Sequence, residues 1–148
     1  MKISTKGRYA LRLMLDLAEH QGDGYVALKD VADRQEISKK YLEQIVPMLT
    51  TAGLLKTTRG ASGGYRLKNP CEEYNVYQIL KVTEGGMSPV ACLEDERNQC
   101  GRSAMCQTLE IWVGLEKVIR EYLEGITLED LANGNISLPK QDTNDRQP

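Results

Sequence analysis

The sequence predicts a mainly α fold with a small β-wing, namely a winged helix-turn-helix domain followed by a long dimerisation helix. Three observations predict it. Helix-period apolar stripes run through residues 5–20, 29–34 and 38–52. A glycine-tipped hairpin, with strands at 54–59 and 65–67 around Gly60-Ala61-Ser62-Gly63-Gly64, follows them directly. A second amphipathic stretch then covers about 103–123.

Ser4 or Thr5 caps the first helix, whose apolar positions Leu11, Leu13, Met14, Leu15, Leu17 and Ala18 run to His20. Gln21-Gly22-Asp23-Gly24 stops it. Tyr25-Val26-Ala27 is a strand-like link, and a short second helix presents Val31 and Ala32 inward. After Gln35-Glu36-Ile37, Ser38 is the N-cap of the third helix. That helix buries Leu42, Ile45, Val46 and Leu49 and leaves Lys40, Glu43, Gln44 and Pro47 outside. Pro47 denies the Glu43 carbonyl its donor, so a kink or an early end is expected there. Gly53 is the stop. Past the hairpin, Asn75 caps a helix over 76–83 that Gly85-Gly86 ends.

One long helix is expected over 103–123, with a stripe of Leu109, Trp112, Leu115 or Glu116, Ile119, Tyr122 and Leu123. A helix projecting from so small a domain buries its stripe most simply against its own copy. Thr127 with Asp130 caps a last turn through Leu131-Ala132, and the polar chain from Gly134 reads as disordered. The organisation is therefore a DNA-binding domain at 1–84, a cysteine-bearing sensor loop at 85–108, dimerisation and terminal helices at 103–132 and a tail at 133–148.

Charge divides the chain. Residues 1–70 hold twelve Lys and Arg against seven Asp and Glu, whereas 71–148 hold seven against fourteen. The basic half suits a polyanion, and the acidic half argues against DNA wrapping the whole molecule. The N-terminus lacks the apolar core and cleavage site of a signal peptide, and no apolar run approaches the ~18–20 residues of a membrane span. A cytoplasmic protein is expected. In that compartment clustered thiols favour a metal or redox site over a structural disulfide.

The third helix is narrow enough to enter a major groove, with Ser38, Lys39 and Lys40 at its start and Glu43 and Gln44 one turn on. Lysines at a helix N-terminus oppose its dipole, which makes sense if they meet phosphates or guanine acceptors. Glu43 can accept from cytosine and Gln44 can pair with adenine. Arg59 and Ser62 at the hairpin tip are placed for a minor groove or its phosphates, and Lys6, Arg8 and Arg12 on the first helix for the sugar–phosphate backbone. The partner expected is a double-stranded, pseudo-palindromic operator.

Cys92-x7-Cys100-x5-Cys106 sets three thiols within fifteen residues of polar loop, more than packing requires. Such thiolates can converge on a soft metal or an iron–sulfur cluster. A metal-free thiol switch and a structural zinc are the other readings. No phosphate-cradling motif, no histidine beside a nucleophile and no carboxylate pair in an apolar pocket points to an enzyme. A small electron-transfer protein is the remaining reading of another class.

MKISTKGRYALRLMLDLA, SKKYLEQIVPMLTTAGLLKTTRGASGGYRL and the three-cysteine loop before TLEIW resemble the bacterial Rrf-two-type regulators over about residues 1–132. The resemblance implies a homodimer with winged-helix heads and crossed long helices. In cluster-bearing members it implies an iron–sulfur centre on the cysteine loop. It also implies a minor-groove role for Arg59 and a reading role for Ser38 and Glu43.

Two departures stand out from that pattern. Where the cluster regulators carry a histidine ligand three residues beyond the last cysteine, this chain has Leu109; where the nitric-oxide sensors carry an acid, it has Arg8. His20, the one histidine, ends the first helix as a surface residue. Glu110 is the first candidate for a fourth ligand and Cys71 the second. The expected cofactor is an iron–sulfur cluster, [2Fe-2S] or [4Fe-4S]. The expected function is a cluster-controlled DNA-binding regulator, a repressor. The alternative is a cluster-free thiol- or partner-controlled repressor of cysteine metabolism, with a partner enzyme of that metabolism.

Overall fold

The structure is a computed structural model that describes residues 1–139. The Ser4 Oγ accepts the Gly7 N–H at 3.0 Å and opens α1 (Thr5–His20), whose inner face sinks Ala10, Leu13, Met14 and Leu17 completely. α2 (Leu28–Gln35) and α3 (Lys39–Thr51) pack on it. The turn between them depends on Glu36, whose φ of 53° is left-handed, the one such non-glycine among the described residues. Ile37 N–H returns to the Ala32 carbonyl at 3.2 Å and closes α2.

α3 does not end at Pro47 but runs on to Thr51. Ile45, Val46 and Leu49 anchor it from within, and Pro47 itself is exposed, so the Glu43 carbonyl it deprives can meet water. Gly53, at φ 78°, then allows a Schellman closure, with Gly53 N–H to Thr50 at 3.0 Å and Leu54 N–H to Leu49 at 2.9 Å.

β1 (Leu55–Thr58) and β2 (Gly64–Leu67) pair antiparallel with Leu55 opposite Leu67 and Lys56 opposite Arg66. The strand-like link expected before α2 is a single bridge, Val26 to Tyr65. It passes so close that a β-carbon on Gly64 would overlap the Val26 carbonyl. Tyr74, 1% exposed, donates to the Leu54 carbonyl at 2.8 Å and accepts the Asn69 N–H at 2.9 Å, fixing the chain behind the wing. Asn75 caps α4 (Val76–Glu84) as expected.

The largest difference from expectation lies beyond α4. The stretch 103–108 is not the start of the long helix. Ser103–Met105 form one 3-10 turn, and α5 covers Leu109–Glu124. Cys106 is extended, at ψ 105°, and this break separates the turn from α5, which starts without a side-chain cap. Nor is the expected stripe one face. Leu109, Trp112, Glu116, Ile119 and Leu123 are half-buried, with Leu123 in a small core of Val76, Leu80 and Met87. Ile111, Leu115, Val118 and Tyr122 form a separate exposed apolar row, and no residue of α5 is buried.

α6 (Leu128–Asn133) starts with a capping box of Thr127 and Asp130. It returns Leu128 to the main core at 0% exposure. Asn133, at the border of the expected tail, therefore closes a helix; positions 140–148 of that tail lie outside the described residues. No helix among the described residues is long and apolar enough to cross a membrane.

Candidate DNA interface and cysteine loop

Ser38 caps α3 by accepting the Tyr41 N–H at 3.1 Å. Its cap aligns the first turn, so Ser38, Lys39, Lys40, Glu43 and Gln44 all stand exposed on the surface opposite Leu42, Ile45 and Val46. Lys39 Nζ lies 3.8 Å from Glu43, one turn on, with both side chains more than half exposed. Such a pair is worth little in water and is readily exchanged for an external partner. Arg59 and Ser62 are exposed at the hairpin tip.

On α1, Arg8 is exposed and donates to Thr5 Oγ1 at 3.0 Å, and Lys6 is half-exposed. Arg12 is differently employed. Its Nε donates to Gln35 Oε1 at 3.1 Å, another N–H donates to the Gln35 carbonyl, and its guanidinium sits 5.2 Å from the Tyr9 ring centroid. It braces the α2 C-terminus, a structural task that the residue pattern did not reveal. Asp16 completes that brace from within, fully buried, with Arg34 at 2.7 and 3.1 Å and Gln35 at 2.9 Å. Burial pushes its carboxyl up, but the hydrogen bonds from Arg34 and Gln35 and the charges of Arg34 and His20 together hold it below its ordinary value. An aspartate within an apolar helical stripe was the signal available for it.

The loop at 85–108 carries Cys92 half-buried and Cys100 and Cys106 exposed, all as free thiols. Among the described residues no three His, Cys, Asp or Glu side chains come together as a metal site. The three thiols thus share a loop but not a point. Their chemistry nonetheless fits an iron–sulfur cluster, since all are free thiols and none is locked in the core. Ser88 Oγ holds the loop, within reach of the Leu93 carbonyl at 2.8 Å and of the Glu116 carboxylate on α5. Cys106 lies just ahead of α5. The Thr108 hydroxyl at 3.5 Å, backbone N–H groups of Thr108 and Leu109 and the nearby Arg102 charge lower its thiol below the usual value. Cys71 is elsewhere, packed on the main core, where burial and the charges of Glu72 and Glu129 push its thiol up. Glu110 is exposed in the first turn of α5.

Three packed helices, a left-handed turn before an exposed, capped third helix, and a two-stranded wing define a winged-helix DNA-binding protein. The family model Rrf2, described as an iron-dependent transcriptional regulator, matches residues 3–134, and the chain belongs to that family. It is 43% identical over 133 residues to the HTH-type transcriptional regulator CymR of Bacillus subtilis, covering 90% of this chain and 91% of that protein. It is 35% identical to the regulator IscR of Pectobacterium atrosepticum, covering 99% and 90%. The solved structure of CymR, the global cysteine regulator of B. subtilis, superposes with a TM-score of 0.74 at 42% identity, covering 90% of this chain and 98% of that one. T. potens IscR superposes at 0.71 with 36% identity, covering 95% and 94%. The chain is a transcriptional regulator and not an enzyme.

Proposed function

We propose that the protein is a homodimeric, sequence-specific repressor whose affinity for DNA follows the state of an iron–sulfur cluster held by Cys92, Cys100 and Cys106. The observation that carries this reading is the position of the three-thiol loop. It joins α4, packed in the DNA-binding head, to α5, whose apolar row is uncovered. Gathering the thiols draws on the segment that links reading head to dimer helix. A bound cluster supplies a redox-responsive cross-link within the loop, and Glu110 is the candidate for its fourth protein ligand.

In this reading the chain works in the cytoplasm on duplex DNA. Ser38, Lys39, Lys40, Glu43 and Gln44 enter a major groove, and Arg59 and Ser62 enter the adjacent minor groove. Lys6 and Arg8 hold phosphates. Two copies joined along α5 read half-sites about 34 Å apart. Coupling between loop and heads amounts to about 1–3 kcal/mol, or roughly 5–150-fold in DNA affinity.

The test is an anaerobic absorption spectrum with iron and sulfide counts, followed by gel-shift titration of matched cluster-loaded and bare protein on a duplex selected from a random pool. Iron and sulfide lost on Cys92→Ala, together with a difference in affinity between the two forms, are expected. Equal affinities would remove the switching.

A second reading has its own observation. Cys106 is exposed and acidified by Thr108, so its thiolate is open to oxidation to a sulfenic acid or disulfide. This would make the chain a thiol-controlled repressor of cysteine metabolism, in keeping with its similarity to CymR. A colourless anaerobic preparation whose DNA binding still responds to peroxide, and loses that response in Cys106→Ser, would select it.

A further inference from the structure

The wing has a second charged face that none of these contacts uses. Lys56 on β1 stands directly opposite Arg66 on β2. Lys68 follows two residues after Arg66 and, with its N–H on the Leu54 carbonyl at 3.2 Å, continues the pairing on the same side. Leu55 and Leu67, the alternate residues, are buried, so the cations occupy the outer face. Lys56, Arg66 and Lys68 line one concavity of about 340 Å³ with Tyr25 and Gln21.

Like charges placed opposite one another on a hairpin repel. Among the described residues none of the three takes part in an ion pair. Arg66 is nonetheless held in place. Its Nη1 donates to the Gly24 carbonyl at 3.1 Å and its guanidinium sits 5.7 Å from the Tyr25 ring centroid. The N–H groups left over present a fixed fork of the kind that matches phosphate oxygens.

We propose that this outer wing face grips the phosphate backbone of duplex DNA flanking the half-sites, beyond the grooves entered by α3 and the hairpin tip. The proposal rests on the DNA-binding reading above. The occupant follows from charge and layout. Lys56 is three residues before Arg59, no more than about 10 Å of chain from the tip, so the face lies a short step along the duplex from the tip contact. The Lys56–Arg66 pair and Lys68 spread over about 7 Å of strand, which suits a run of phosphates better than one small anion. The contact is to the backbone, so it adds affinity and salt dependence without base preference.

The test compares wild type with the triple variant Lys56→Gln, Arg66→Gln, Lys68→Gln on two duplexes. Both carry the same sequence selected by the protein from a random pool; one stops at the half-site edges and the other extends one helical turn at each end. On the extended duplex the variant should lose about 0.9 from the log–log salt slope for each phosphate contact removed. On the trimmed duplex the two proteins should coincide. A thermal midpoint at or above wild type shows that the variant is folded; if it is not, Lys68→Gln alone carries the comparison. Identical slopes on both duplexes overturn the proposal and leave the groove contacts untouched, as does an equal drop on both, which would place the cations within the half-site. Inorganic phosphate abolishing the extended-duplex advantage at constant ionic strength would assign the face to a small anion and overturn it too. Wild type binding neither duplex would end the DNA-binding reading itself, and this one with it.

Discussion

The carboxylate of Glu84 accepts two hydrogen bonds from Ser4, one from the backbone N–H at 3.1 Å and one from the hydroxyl at 2.6 Å. The last residue of α4 is thereby joined to the first turn of α1, eighty positions away in sequence. Gly7 makes the approach possible, because a β-carbon there would overlap the same carboxylate. The negative charge also lies at the positive end of α1. Since Gly85 begins the cysteine loop, that loop hangs from the residue that sets the start of the helix carrying Lys6 and Arg8.

Glu84→Ala should therefore reduce unfolding free energy by about 1–2 kcal/mol in urea titration, the range for charge-assisted hydrogen bonds lost at a helix start. Glu84→Gln retains an acceptor and should lose less. Gly7→Ala should lose less than Glu84→Ala, because the tip of the Glu84 side chain can swing aside and alanine favours the helix by about 0.5–1 kcal/mol. A Glu84→Ala protein as stable as wild type would show that the contact is dispensable.

Asp16 gives a prediction with a pH sign. Its carboxyl is held below its ordinary value of 3.8, so the folded state binds its proton more weakly than the unfolded chain. The stabilisation is present above that value and is lost as pH falls through the lower, folded-state value. Asp16→Ala should remove about 2–3 kcal/mol at pH 7. That is below the ~3–5 kcal/mol for breaking a fully buried pair, because Arg34 remains reachable by water. The variant should also show a flatter loss of stability between pH 5 and the acid limit, measured by urea midpoints across that range.

Most of the head was legible because period and punctuation agreed there. Ser38, Gly53 and Asn75 cap or close the helices whose stripes had been read from Leu42–Ile45–Val46–Leu49 and its neighbours. The exposed set from Ser38 to Gln44 follows from the same stripe by subtraction. Three features were not legible, each for a physical reason. Arg12 reads as a free surface cation until Gln35 is brought beside it by the α1–α2 crossing. The stretch 103–108 has helix-compatible residues but is broken by the extended backbone of Cys106, and local propensity cannot show that. α5 has apolar residues on two adjacent faces, and only packing against α4 reveals which row is spoken for. The spacing of Cys92, Cys100 and Cys106 was visible at once, but spacing along a loop does not establish convergence.

Glu36 is the strained point of the reading unit, with its left-handed φ of 53° between α2 and the Ile37 N–H that closes it. Left-handed backbone costs an L-residue with a β-carbon about 1–2 kcal/mol relative to glycine, partly offset by the greater freedom glycine has when unfolded. Glu36→Gly should stabilise the protein by about 0.5–1 kcal/mol, with the thermal midpoint rising. Glu36→Val should do the reverse, because β-branching makes the same conformation worse. Equal midpoints for both variants would mean that the turn relaxes around whatever residue it holds.

The two rows of α5 should separate by mutation. Ile111 and Val118 are 61% and 63% exposed, so changing both to Ser removes little from the folded monomer, within about 0.5 kcal/mol for surface positions. Trp112 and Ile119 are half-buried on the neighbouring row, and Ile119→Ala should lower monomer stability by about 1–3 kcal/mol through lost packing. If the exposed row is the dimer seam, the Ile111→Ser, Val118→Ser variant should sediment as a folded monomer. It should then bind a two-half-site duplex much more weakly than wild type, because the second head no longer arrives at the high effective concentration that linkage provides. Ile119→Ala should instead retain the dimer at concentrations where it is folded. A double-serine variant that stays dimeric would move the seam to the other row and leave Ile111, Leu115, Val118 and Tyr122 without a partner.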